Sequence, residues 1–116
     1  MKHGFKKLPA AFFRTKAGTE PVREWLHALP REERRIIGED IADVEYAWPI
    51  GLPLCRPMSR GLWEVRSNRP GNRIARVLFC IAGGHMVLLH GFIKKTARTP
   101  NDDLALARKR MKETQS

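Results

Sequence analysis

The stretch GLWEVRSNRPGNRIARVLFCIAGGHMVLLHGFIKKT, residues 61–96, decides the fold. It holds three runs rich in β-favouring residues: LWEVRS (62–67), RIARVLFCI (73–81) and HMVLLHGFI (85–93). The connectors NRPGN and AGG are short and built from turn formers, so the runs predict an antiparallel three-strand meander joined by hairpins. An N-terminal strand near AFFR (11–14) extends it to four.

Between these strand signals lie two helical patterns. In TEPVREWLHALP, Val22, Trp25, Leu26 and Leu29 fall at i, i+3, i+4 and i+7, which predicts a short amphipathic helix with Pro21 in its first turn. Pro30 bars its continuation, and PREERRIIGEDIADVEYAWP begins a second helix with Glu32 and Glu33 in the opening turn. Its apolar stripe is Ile37, Ile41, Val44 and Trp48, and its acids read mostly as a solvated outer face. The segment PIGLPLCRP (49–57) is punctuated by prolines and glycine and reads as irregular. The chain closes with TPNDDLALARKRMKE, where Thr99 and Asp102 have capping-box spacing and Pro100 fits the first helical position. A third helix follows, with Leu104, Ala107 and Met111 inward. The expected class is α+β, with helices packed on an antiparallel sheet of three to four strands and residues 1–116 forming one domain.

Composition narrows the function. With 42% hydrophobic and 29% charged residues the chain is expected to fold as a soluble globule, cytoplasmic and without a membrane partner. It has no apolar run of bilayer length, and its basic N-terminus lacks the apolar core of a secretion signal. Cys55 and Cys80 sit in apolar settings without C-x-x-C spacing and read as buried thiols. His3, His27, His85 and His90 show no zinc-like spacing, so no metal or other cofactor is expected.

The net charge of +10 implies a polyanionic partner. Its distribution is uneven: residues 1–55 carry nine Lys/Arg against eight Asp/Glu, whereas residues 56–116 carry thirteen against four. Strand alternation puts Ile74, Arg76, Leu78 and Cys80 on one face, so Arg76 interrupts an apolar row. Two readings stand: an ion pair with Glu64 on the neighbouring strand, or an anion site open to a cleft. By the same alternation Leu62, Glu64 and Arg66 share a face, and Leu88, His90, Phe92 and Lys94 share another. If the registers match, Arg66, Arg76 and Lys94 form a cationic cluster on the sheet, suited to the phosphates and unpaired bases of RNA. RNA cleavage by the 2′-hydroxyl needs a base, an acid and cations for the charge that builds on phosphorus. His90 has the chemistry for proton transfer, although a lone histidine on an apolar strand is commonly core. Lys94 and Lys95 read either as a solvated strand end or as part of that site.

The ordered set LCRPMSRGLWEVRS, RIARVLFCI, MVLLHGFIKKTARTP and the closing basic helix resembles the RelE/HigB superfamily of toxins, in particular its phage-derived HigB-like branch, from about Phe12 to Glu113. The resemblance implies a metal-independent, ribosome-dependent mRNA endonuclease that inhibits translation. Its partners would be the ribosome, mRNA and a cognate antitoxin with a helix-turn-helix domain. Carried over by position, Arg66, Arg76, Lys94 and Lys95 match the family's basic active-site residues, with His90 a candidate for proton transfer. Arg60, Arg69, Arg73, Arg98 and the Phe92 ring complete the RNA-binding candidates. The tyrosine or C-terminal histidine of some members has no match, since Tyr46 lies in the second helix. A non-catalytic nucleic-acid-binding module and a phage-encoded inhibitor of a host protein are the alternatives.

Overall fold

The computed structural model describes residues 5–96 and 98–115, so His3 lies outside the described residues. The chain runs β1 (Ala10–Phe12), α1 (Pro21–Ala28), α2 (Arg31–Ala47), β2 (Cys55–Ser59), β3 (Leu62–Arg69), β4 (Arg73–Ala82), β5 (His85–Lys94) and α3 (Asn101–Gln115). The strands form one sheet in the order β1-β5-β4-β3-β2.

The meander is β3, β4 and β5, antiparallel throughout. Its second hairpin closes on Gly83 and Gly84, both at positive φ, a conformation that glycine adopts without steric cost. Two features correct the expected three- to four-stranded antiparallel sheet. The N-terminal strand β1 pairs with β5 in parallel, Ala10 opposite Met86 and Phe12 opposite Leu88. A run of three residues carries no directional signal of its own; the direction is fixed from outside, where Glu45 of α2 accepts from the Ala10 amide (2.7 Å) and from Leu8 N at its carbonyl (3.0 Å). The fifth strand, β2, falls within a stretch that reads as irregular because CRPMS has neither apolar alternation nor a β-branched residue. As an edge strand it tolerates Pro57, which has no N–H to offer a ladder.

Helices α1 and α2 cover one face of the sheet. Ile37, Ile41 and Val44 of α2 and Val22 of α1 bury against Val65, Ala75, Val77, Phe79, Met86 and Leu88. Each of these side chains larger than alanine contributes about 1.5–3 kcal/mol relative to an exposed one. The acids of α2 are less uniformly solvated than the sequence suggests. Glu45 is buried, Asp40 accepts from the Ser67 hydroxyl (2.5 Å), and Glu33 holds two arginines. Helix α3 packs on the opposite face, where Ala107 and Met111 are buried with Leu62, Leu78, Cys80, Val87, Leu89 and Phe92, and Leu104 packs alongside.

One irregularity in β5 positions the site. Leu78 pairs with His90 but Phe79 pairs with Leu88, so Leu89 is an extra residue, a β-bulge. The expected face shared by Leu88, His90, Phe92 and Lys94 is therefore corrected: Leu88 turns to the α1/α2 side, while the other three stay on the α3 side. The Leu89 carbonyl is satisfied by Nη1 of Arg110 from α3 (2.8 Å).

Candidate active site

The face under α3 is a small grid. One row across the strands reads Arg56, Glu64, Leu78, His90; the next reads Arg66, Arg76, Phe92; the third reads Asn68, Ile74, Lys94. Residues opposite one another on antiparallel strands lie about 4.5–5.5 Å apart, so the register does gather Arg66, Arg76 and Lys94 on one face. Helix α3 covers the Leu62 and Cys80 end of this face, and the chain between β5 and α3 crosses the middle.

That crossing segment decides the state of Arg76, whose relative exposure is 0%. Its Nη2 donates to the Thr96 carbonyl and its Nη1 to Thr99 Oγ1 (3.3 Å), while its Nε has no partner among the described residues. Thr99 Oγ1 in turn donates to Oε2 of the equally buried Glu64 (2.6 Å), whose Oε1 receives Arg66 Nη1 (3.4 Å). Both readings of Arg76 are thus modified: Glu64 is its counter-charge through one shared hydroxyl, and the cleft above it is closed. Burial pulls the guanidinium pKa down, and the charge of Glu64 opposes this. Thr99 also departs from the expected capping role, because its hydroxyl serves Glu64 and Arg76 while the Pro100 carbonyl accepts from Leu104 N (3.0 Å).

On the β5 side, His90 Nε2 lies 2.6 Å from Asp103 Oδ1, and Lys94 Nζ donates to Asp103 Oδ2 at 3.0 Å. Burial pushes the Asp103 carboxyl up, but hydrogen bonds from His90 and Lys94, the Lys94 charge and, whenever its ring is protonated, the His90 charge hold it below the usual carboxylate range. The His90 ring stacks on Phe92 with centroids 5.4 Å apart. Phe92 is only 7% exposed, with Arg76 and Lys94 each within 6 Å of its centroid, so its face is occupied and is not offered to a base. Lys95 and Arg98 are exposed on the crossing segment.

On the other side, Arg66 and Arg56 line an open groove of about 530 Å³ with Leu52, Pro53 and Asn68. Leu52 is 67% exposed at its rim. The remaining RNA-binding candidates lie apart. Arg69 and Arg73 point to the α2 side, where both reach Glu33 Oε1 (3.5 and 3.0 Å). Arg60 sits exposed in the Ser59–Gly61 turn, beyond the far end of β3 from Arg66.

The residues from α1 to α3 answer to one family. A model of phage-derived Gp49-like proteins matches residues 24–112. The chain belongs to that family. Gp49-like proteins form a RelE-type, toxin-like family, so the resemblance drawn from the sequence holds at this coarser level. No curated protein matches the chain.

In this Gp49-like chain, sequence reasoning overlooked three site residues. Arg56 and Leu52 escaped because β2 and the loop before it read as irregular. Asp103 escaped because it reads as a helix-opening acid, and only the fold brings it beneath His90 and Lys94. Among the described residues no three His, Cys, Asp or Glu side chains gather as metal ligands, and no helix is long and apolar enough to cross a membrane.

Proposed function

We propose that this protein is the toxin of a type II toxin–antitoxin pair of the HigB-like kind, a ribosome-dependent endonuclease that cuts mRNA. The observation that carries this reading is the same-face register of Arg66, Arg76, His90, Phe92 and Lys94 in a chain of a toxin-like family. The nucleophile is the 2′-hydroxyl of the RNA itself, which forms a 2′,3′-cyclic phosphate and releases a 5′-hydroxyl. The scissile phosphate lies beside Lys94 and Lys95, where cationic donors answer the charge that builds on its oxygens. Arg66 stands two strands across from β5, roughly 10 Å by strand spacing, and with Arg56 takes neighbouring phosphates of the bound strand. Arg76 acts from beneath, holding Thr96, next to Lys95, and Thr99, next to Arg98, so that both exposed cations are carried past the site. Ribosome and mRNA are the substrates' setting, and an acidic antitoxin with a helix-turn-helix domain is the partner that silences the basic face.

Cleavage of a reporter mRNA in a reconstituted translation reaction, with and without ribosomes and in the presence of EDTA, tests the reading. Ribosome-dependent cuts that survive chelation and disappear in Arg66→Ala, Lys94→Ala and Lys95→Ala variants support it; intact mRNA with the wild type overturns it. The burial of Arg76 and Phe92 favours a second reading, a non-catalytic RNA-binding module. That reading predicts salt-sensitive RNA binding with the message left whole.

A further inference from the structure

We propose that Asp103 is the positioning residue of a proton-transfer pair, holding the His90 ring on one carboxylate oxygen and the Lys94 ammonium on the other; this rests on the endonuclease reading above. The geometry assigns each partner its part. An ionised carboxylate only accepts hydrogen bonds, so Nε2 of His90 must carry the hydrogen at 2.6 Å from Oδ1, and the neutral ring keeps its lone pair on Nδ1. Nδ1 makes no hydrogen bond among the described residues, and it is not among the buried atoms that lack a partner. It is therefore the ring nitrogen left for substrate. Stacking on Phe92 restrains the plane of the ring from the side. The charged groups around His90 are Asp103 from α3 and Lys94 from its own strand, with Arg76 across the Phe92 ring.

The second carboxylate oxygen does the same for Lys94, whose Nζ lies 3.0 Å from Oδ2. A base and an acid are thus held a carboxylate's width apart, on a half-buried group whose own charge is held by both. In the cleavage step Nδ1 of His90 takes the proton of the 2′-hydroxyl, and the 2′-oxygen forms its bond to phosphorus. The bond from phosphorus to the 5′-oxygen breaks, its electron pair stays with that oxygen, and the Lys94 ammonium supplies the proton that completes the 5′-hydroxyl. The proton on His90 returns through solvent to Lys94, so the protein ends the cycle unchanged.

A plain staple between α3 and β5 would use the same contacts, so the test needs a readout that stapling does not move. Asp103→Asn keeps the size of the side chain but brings an NH2 that can donate to Nε2, which favours the opposite tautomer. Two measurements are made together: nitrogen NMR of the His90 ring, and single-turnover cleavage of ribosome-bound reporter mRNA. Wild type should carry the hydrogen on Nε2, and Asp103→Asn should move it to Nδ1. Cleavage should fall at least about 10-fold in Asp103→Asn with ribosome binding unchanged, and up to about 10,000-fold, the scale reached when a general-base histidine is left in the wrong tautomer. His90→Ala should lose at least as much, the double variant no more than His90→Ala alone, and Asp103→Glu should recover part of the rate. A wild-type rate in folded Asp103→Asn, or losses that add in the double variant, overturns the proposal. If Asp103→Asn unfolds, His90→Ala decides: cleavage at the wild-type rate sinks the pair. If the wild type cuts no mRNA, the endonuclease reading falls, and a Nε2–H ring then marks Asp103 as a staple.

Discussion

Replacing Arg76 by methionine removes a buried charge but keeps an unbranched chain of similar reach. The guanidinium it deletes is fully buried, donates to the Thr96 carbonyl and Thr99 Oγ1, and offsets the charge of Glu64, itself 0% exposed. The loss has two parts of opposite sign. The folded state no longer pays the desolvation of a guanidinium whose Nε is unpartnered, which is a gain. Against it, Glu64 keeps Thr99 and its direct ion pair with Arg66 at 3.4 Å but loses the second buried cation that reaches it through the Thr99 hydroxyl, and Thr99 and the Thr96 carbonyl lose a donor. Breaking a buried pair by removing one partner costs about 3–5 kcal/mol, whereas replacing both partners by groups of similar volume is often neutral. We expect Arg76→Met below that range, about 1–3 kcal/mol, because the two charges meet only through Thr99 and the direct ion pair of Glu64 with Arg66 stays. The double variant Glu64→Gln/Arg76→Met should cost at least about 1 kcal/mol less than the sum of the single changes. Urea denaturation followed by tryptophan fluorescence measures all three. A single variant as stable as the wild type, or a double variant whose loss equals the sum, would show that Arg76 and Glu64 are not coupled and would refute the account of the buried centre.

Four further outcomes follow from single observations. A Cβ at Gly91 overlaps the Trp25 ring, so Gly91→Ala should destabilise by about 1–3 kcal/mol through overpacking, read from urea midpoints; a neutral result means Trp25 swings aside. Burial pushes the Cys55 thiol up to about 11, a backbone hydrogen bond at Arg56 opposing and the charge of Glu64 adding, so at pH 8 the thiol stays protonated. A disulfide reagent should then label it only after denaturation. Arg56→Ala and Arg66→Ala should each weaken binding to single-stranded RNA and lower the slope of log affinity against log salt by about 0.7, by fluorescence anisotropy; an unchanged slope takes phosphate away from that groove. Asp103 titrates below its ordinary 3.8 when folded, so the stabilisation it gives is present above about pH 4 and is lost as pH falls through the folded value. Asp103→Asn should flatten that acid limb of stability, and an identical limb in both proteins would place the charge effect elsewhere.

The layered fold was legible because its signals are periodic. Val22 to Leu29 and Ile37 to Val44 repeat at helical spacing, the three meander strands are rich in β-favouring residues, and Gly83–Gly84 forms a turn that few other pairs could make. What stayed hidden depends on tertiary context. Pro57 argues against a strand unless the strand is known to be an edge, and three residues of β1 cannot declare a direction. The bulge at Leu89 is a special case, since strict alternation places Leu88 beside His90. No local feature of HMVLLHGFI marks the extra residue; it is sustained by Arg110 of α3, which takes the orphaned carbonyl. Without that slip His90 and Leu88 would compete for one face, and the histidine would not meet Asp103.

The shared face of Arg66, Arg76 and Lys94 was legible from strand alternation, but a count of charges overstates what a ligand meets there. Of the thirteen cations after residue 55, Arg69 and Arg73 are drawn to Glu33 on the opposite face, and Arg76 is sealed beneath Thr96–Thr99. Arg108 holds the Ser59 turn through its carbonyl and hydroxyl, and Arg110 holds the bulge. These five cations are spent on architecture, and the sequence cannot separate them from the rest because the residue types are the same. The cations left toward solvent near the grid are Arg56 and Arg66 at one end and Lys94, Lys95 and Arg98 at the other. A polyanion laid on this face would therefore meet two basic clusters, one on the groove side and one at the β5 end that continues onto the crossing segment through Lys95 and Arg98. Such an arrangement favours an extended chain that spans both over a compact polyanion held at one point. It also explains why the crossing segment is tied down by the most deeply buried charges among the described residues: the separation between the clusters is set by where Arg76 and Glu64 hold Thr96 and Thr99.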